Sequence, residues 1–315
     1  MRMFSLIFFG CLHVAMLMAD LEDHLKKVDR SMRNEQMSSM RNIDCIYMIN
    51  LDQRPEKWKL SIDQLAPYGI EPLRFSAVNG WELSLEAIND VGLPYSIEME
   101  GNFMATSYHL DGNFEPSHEL ILNYGQTYYC HCMARGTIGI ALSHISILQD
   151  AYDQGYETIW LMEDDIYVLR DPRILPDLIN KLDVLVGKDQ WDVLFTDRDM
   201  LRSDSSYNVC LWAARRPDIA EGSKCNDYSL RKRIDPEFWQ IGARYGAHSM
   251  IIRRSGIKKL LRHFLAHKIF LPYDLEFILP IGIKLFAVWD DVVSNLPKAI
   301  SDNGGANYLK REAKQ

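Results

Sequence analysis

Three adjacent carboxylates, Glu163, Asp164 and Asp165, end the apolar run Thr158 to Met162, and Ile166, Tyr167 and Val168 resume it. Neighbouring carboxylates repel one another and resist burial, so their place beside a buried segment needs a reason. Oxygen donors suit Mg²⁺ and Mn²⁺. An octahedral ion needs only one or two protein carboxylates when phosphate oxygens complete its shell. Alternate residues of a strand share a face, so Glu163 and Asp165 are expected to point one way and Asp164 the other. That is a D-x-D type of metal site. The alternative is a solvated acidic turn that caps a helix.

The elements that would carry these acids follow from pattern. Cys45 to Leu51 is a compact apolar run that suits a buried strand, interrupted at its end by Asn50. Pro55 suits the first turn of a following helix, whose Trp58, Ile62 and Leu65 share a face. "YGIEPLRFSAVNG" supplies a turn and a second strand, closed by Asn79-Gly80. "GTIGIALSHISILQDAYDQG" reads as a helix stopped by Gly155. "TIWLM", "WDVLF" and "AHSMIIRR" read as strands, the last followed by a helix, and "IKLFAVWDDVVSN" as a final strand region. Strand, helix, strand in this order predicts an α/β fold with a mostly parallel sheet flanked by helices. Ligands are then expected at the carboxyl ends of the strands. Residues 92–132, with Gly, Pro, Asn and several Tyr and His, read as a long loop bordering the site.

The 315-residue chain is long enough for a substantial core. It has 35 basic and 43 acidic residues, a net charge of −8, and no basic run, which argues against a nucleic-acid backbone as partner. Arg2 and the apolar run Met3 to Ala19 suit a secretory signal peptide or a membrane anchor, with membrane association through the N-terminus as a consequence. The run is short for a span, and Leu17 is a poor residue three before the cleavage edge. Residues 20–42 are polar with a thin stripe of Leu21, Leu25, Val28 and Met32, and read as a helical spacer. Six cysteines are present. Cys210 and Cys225 would pair in an oxidising compartment, while "CHC" at Cys130 to Cys132 is half of a metal pattern without a second half. Ordinary core or free thiols are the simpler reading.

The blocks together resemble glycosyltransferase family 25, the lipooligosaccharide sugar transferases and procollagen galactosyltransferases. "IYMINLDQRPEKW" resembles the family's opening, and "RFSAVNG" its Ala-Val-Asp-Gly, with Asn79 where Asp is usual. "GTIGIALSH" is similar to Gly-x-x-Gly-x-x-Leu-Ser-His through Gly136, Gly139, Leu142, Ser143 and His144. "IWLMEDD" resembles the acidic segment, "QWDVLF" the Trp-Asp strand, "YGAHSMIIRRSGIKKLL" the late strand and helix, "LPYDLEF" the Pro-x-Asp element, and "SDNG" a terminal Ser-Asp segment. The similarity runs from about residue 44 to 305. It implies a transferase domain over 43–305, a tail over 306–315 and a GT-A type, Rossmann-like fold.

The resemblance implies transfer of a hexose, galactose foremost, from a UDP-sugar to a hydroxyl, with inversion and with a divalent metal (Mn²⁺ or Mg²⁺) on Glu163 and Asp165. Asp164 is then placed to touch ribose or sugar hydroxyls, and Asn50, Arg54 and Lys57 to contact uracil or diphosphate. Asp274 is the first candidate base, with a helix N-cap as its structural alternative. His248 is a metal ligand, a base or a satisfied core histidine. His144 reads as a hydrogen-bonding residue beside the site, Asp302 as a late approach to the metal or a solvated turn, and Asp192 as a partner of nearby backbone. The acceptor is a saccharide, a lipid-linked saccharide or a protein hydroxyl. A silent glycan-binding protein of the same fold is the alternative. A metal-dependent phosphohydrolase is weaker, because Ile166-Tyr167 offers no small hydroxyl after the acids. The leader poses a conflict, since sugar nucleotides are made in the cytosol.

Overall fold

A computed structural model describes residues 20–29, 40–198, 215–220, 226–297 and 299–310. The proposed leader, Met32 of the spacer stripe and the pair Cys210 and Cys225 lie outside the described residues. No helix among the described residues is long and apolar enough to cross a membrane.

The chain opens with β1 (Cys45–Asn50), α1 (Pro55–Leu65) and β2 (Leu73–Ser76), followed by α2 (Leu85–Val91). A small sheet comes next: β3 (Leu93–Pro94), β4 (Met104–Ser107), β5 (Ser117–Leu120) and β6 (Thr127–Cys130). Then follow α3 (Arg135–Asp153), β7 (Thr158–Glu163), β8 (Ile166–Val168), α4 (Leu175–Val186) and β9 (Val193–Phe195). The last part holds β10 (Arg231–Asp235), β11 (Phe238–Ile241), β12 (Ser249–Arg253), α5 (Arg254–His267), α6 (Tyr273–Glu276), β13 (Leu285–Val288) and β14 (Val293–Asn295).

Eight strands form the central sheet in the order β10-β11-β13-β9-β12-β7-β1-β2. β1 pairs in parallel with β2 and β7, and β13 with β9, whereas β12 and β11 run against their neighbours. Six of the eight strands therefore point the same way, as the strand–helix–strand pattern predicts. Both faces are covered. Along β1, Cys45, Tyr47 and Ile49 enter the core on the side of α3 and α5, while Ile46 and Met48 enter the core on the side of α4. In β7, Ile159 and Leu161 take the first side and Trp160 and Met162 the second. Burial on both faces is why these strands are continuous apolar runs instead of alternating ones.

One expectation changes here. Residues 92–132 are not a loop. They hold the four-stranded antiparallel sheet β3-β6-β4-β5, whose strands of two to four residues are too short for alternation to stand out between the turns. In the described start of the spacer, Asp20 caps a short 3₁₀ turn at Leu21–His24, Leu21 is fully buried, and Leu25 and Val28 pack on the core.

Candidate active site

The crevice sits where topology puts it. β1 runs through α1 to β2 on one side, and the chain later returns to place β7 on the other side of β1. That reversal opens a cleft at the carboxyl ends of β1 and β7. Ile49 and Glu163 are register partners there. Glu163 closes β7, and the chain bends at Asp164 and Asp165 before β8 begins.

Two cavities meet at these acids. A narrow one of about 90 Å³ is bounded by Lys57, Val78 to Trp81 and Gly136, with Glu163, Asp164, Asp165 and Asp302 in its wall. A wider one of about 550 Å³ takes in Glu163, Asp165, Tyr245, His248, Tyr273 and Asp274. All three acids line the narrow cavity, and Glu163 and Asp165 also line the wide one; Asp164 and Asp165 lie in the bend after β7, so strand alternation does not separate them. Ser301 and Asn303 form a bar shared by the two.

Asn50 is buried and holds Asp164: its amide donates to that carboxylate at 2.6 Å and to the Arg54 carbonyl at 2.9 Å, while its own oxygen accepts from Arg74. Burial pushes Asp164 up to about 6, against the pull of Lys57 and the Asn50 hydrogen bond. Burial and then the charges of Asp165, Asp164 and Asp274 push Glu163 up to about 8. One oxygen of Asp165 is buried with no hydrogen-bond partner.

The wider cavity has its own titratable pair. The Asp274 carboxylate accepts from the Gly246 N–H at 2.8 Å, and burial raises its pKa. The capping position of α6 belongs to Pro272, so Asp274 is not the N-cap. Burial keeps His248 towards its neutral form, and its Nε2 is buried without a partner. A Cβ on Gly246, at φ +81°, would meet the His248 ring at 2.4 Å, so only glycine lets the imidazole lie there. His144 is fully buried and stacks on Tyr273 with ring centroids 4.0 Å apart. Its Nδ1–H faces the Ile140 carbonyl at 3.0 Å, leaving Nε2 3.7 Å from Glu163.

Arg54 does not reach the cavities. Its guanidinium is buried, paired with Asp302 and with Glu56. Asp302, read from sequence as a metal approach or a solvated turn, is not a solvated turn: it is a buried counterion in the narrow cavity's wall, with Lys57 3.3 Å away. The physical reason is the path of the chain end. Trp81 Nε1 donates to the Asp302 carbonyl and Asn79 donates to the Tyr308 hydroxyl, which brings the 301–308 segment over α1. Lys57 remains in the narrow cavity wall. Asp192 lies elsewhere, accepting from Ser255, Lys259 and the Lys284 N–H, where it ties β9 to α5.

Residues that the sequence reading did not assign to the site also line it: Trp81 on the narrow side, and Tyr245, Tyr273 and Asn295 on the wide side. Tyr273 had one weak signal, its place next to Asp274. The Gly-x-x-Gly spacing gains a physical meaning. A Cβ on Gly139 would lie 2.5 Å from the Gly80 nitrogen and the Val78 oxygen, and one on Gly136 2.7 Å from the Asn303 carbonyl. Both glycines let α3 press against the cavity walls.

A model of the family described as "Glycosyltransferase family 25 (LPS biosynthesis protein)" matches residues 43–276, most of the chain. The chain belongs to glycosyltransferase family 25. Proteins named "Glycosyltransferase 25 family member" from Drosophila melanogaster and Aedes aegypti are each 26% identical to it, over 60% and 50% of this chain and 26% and 22% of theirs. The human protein named "Inactive glycosyltransferase 25 family member 3" is 22% identical over 53% of this chain and 24% of its own. The chain thus spans about a quarter of the length of these curated relatives. The family places the acids of β7 in a glycosyltransferase domain, with the α/β sheet that the sequence predicts.

Proposed function

We propose that the chain transfers a hexose, with galactose the first choice, from a UDP-sugar to an acceptor hydroxyl with inversion, assisted by Mn²⁺ or Mg²⁺. The observation that carries this reading is the shared wall: Glu163 and Asp165 border both cavities, so a diphosphate on one side and an acceptor on the other would meet at these acids. The donor set suits a hard cation, being carboxylate oxygen throughout, and Asp165 offers a buried oxygen without a partner. No group of three or more His, Cys, Asp and Glu converges on a metal position among the described residues. Phosphate oxygens of the donor would have to complete the shell. Such an ion would neutralise charge growing on the departing diphosphate.

The other steps belong to the protein. Asp274 takes the acceptor proton as its oxygen attacks the anomeric carbon and the bond to the diphosphate breaks. A raised carboxylate pKa suits a base, and neutral His248 beside it is the reserve acceptor for the proton. Lys57 stands on the narrow side, where a diphosphate would need a cation. Asn50 and Asp164 work as a unit: the amide fixes the carboxylate that would meet a ribose or sugar hydroxyl. The wide cavity has no Lys or Arg among its described lining residues and three carboxylates, which favours a neutral or cationic acceptor over an anionic one.

The test is a panel of UDP-sugars incubated with purified protein and Mn²⁺, scored for sugar release and for transfer. Turnover of a UDP-hexose supports the reading, and its absence across the panel with UDP-sugar binding retained supports a silent glycan-binding protein. That second reading is motivated by the similarity to a relative named inactive and by Asn79 where the family resemblance has Asp.

A further inference from the structure

We propose that Cys130 and Cys132 form a redox-active dithiol that closes to an intramolecular disulfide by exchange with a small disulfide such as oxidised glutathione. The two sulfurs lie 3.1 Å apart with one residue between them. Cys130 ends β6, buried and pinned by its N–H to the Phe270 carbonyl and by its own carbonyl to the Met133 N–H. Cys132 lies on the exposed turn that leads into α3. The pair is therefore held in place on one side and open to reagents on the other.

Exposure assigns the roles, and the direction of each pKa shift agrees. The hydrogen bond from Cys130 lowers Cys132 to about 7, although burial and Asp274 oppose it. The same hydrogen bond, then burial, pushes Cys130 well up. Cys132 is exposed and Cys130 buried, so Cys132 is the thiolate that an incoming disulfide can reach and that attacks it. Its sulfur bonds to one sulfur of the incoming disulfide and expels the first thiolate. Cys130 then loses its proton, attacks the Cys132 sulfur, and expels the second. One dithiol is oxidised, one disulfide is reduced to two thiols, and no other reagent is needed. The Phe270 contact joins this pair to the Phe270–Asp274 segment that reaches the wide cavity. The exchange does not depend on which sugar is moved, or on whether one is.

The experiment uses the folded full chain in glutathione buffers of increasing oxidising poise, quenched with acid, alkylated and digested with trypsin. Residues 75–135 form one tryptic peptide, free of internal Lys and Arg, whose only cysteines are these two. The expected product is that peptide two hydrogens lighter, unalkylated and carrying no glutathione. Cys130→Ser should leave a lasting glutathione adduct on Cys132, and Cys132→Ser should slow modification of Cys130 by at least about tenfold. Two alkylated thiols in the most oxidising buffer would overturn the proposal. So would an adduct on wild-type Cys132 as persistent as that in the Cys130→Ser variant.

Discussion

Glu163→Gln should make the metal-free protein more stable while removing its activity. Gln keeps the size and the neutral form of the side chain. In the folded chain Glu163 titrates near 8, against an ordinary 4.5. A carboxyl raised on folding favours the folded state while it is neutral in both states, below about pH 4.5. That stability is lost as pH rises through 8. At pH 7 the difference is worth about 3 kcal/mol, at ~1.36 kcal/mol per pH unit. Glu163 is 22% exposed and shares its penalty with Asp164, so a gain of ~1–2 kcal/mol is expected, or ~2–4 °C in melting temperature. The assay is thermal and urea unfolding of both proteins in chelator at pH 5 and pH 8. The gain should be small at pH 5 and largest at pH 8. Equal differences at the two pH values, or a variant less stable at pH 8, would refute the reasoning.

Three further outcomes follow from the same geometry. Asp274→Asn should lower kcat for transfer about 10²- to 10⁴-fold while donor affinity by calorimetry stays within about twofold. Arg54→Met strands the buried Asp302 carboxylate with Lys57 alone and should cost ~3–5 kcal/mol in urea unfolding, part of which Asp302→Leu in the same chain restores. Gly139→Ala forces backbone apart at Val78 and Gly80 and should cost ~1–3 kcal/mol, read as a lower melting temperature. An unchanged melt would show that the contact relaxes freely.

The main elements were legible because they follow local rules. The apolar runs of β1 and β7, Pro55 at the first turn of α1 and the long α3 each carry their own signal. The acids of the site were visible for the same reason, since charge at the end of a buried strand stands out. What was hidden depends on distant pairing. No local feature of Arg54 announces Asp302, 248 residues away, and charge alone made the arginine look like a donor contact. The small sheet escaped because its strands, two to four residues long, are too short to stand out from the turns around them. Tyr245 and Trp81 reach the cavities from loops, where sequence gives no periodicity to read.

The claim on which the rest turns is that Glu163 and Asp165 bind a divalent ion shared with a nucleotide-sugar diphosphate. Calorimetric titration of UDP-galactose into wild type and Asp165→Ala, each with Mn²⁺ and with chelator, measures it directly. The account predicts that Mn²⁺ tightens binding to the wild type at least about tenfold and leaves the variant, still folded by circular dichroism, unchanged. The same Mn²⁺ response in both proteins would contradict it.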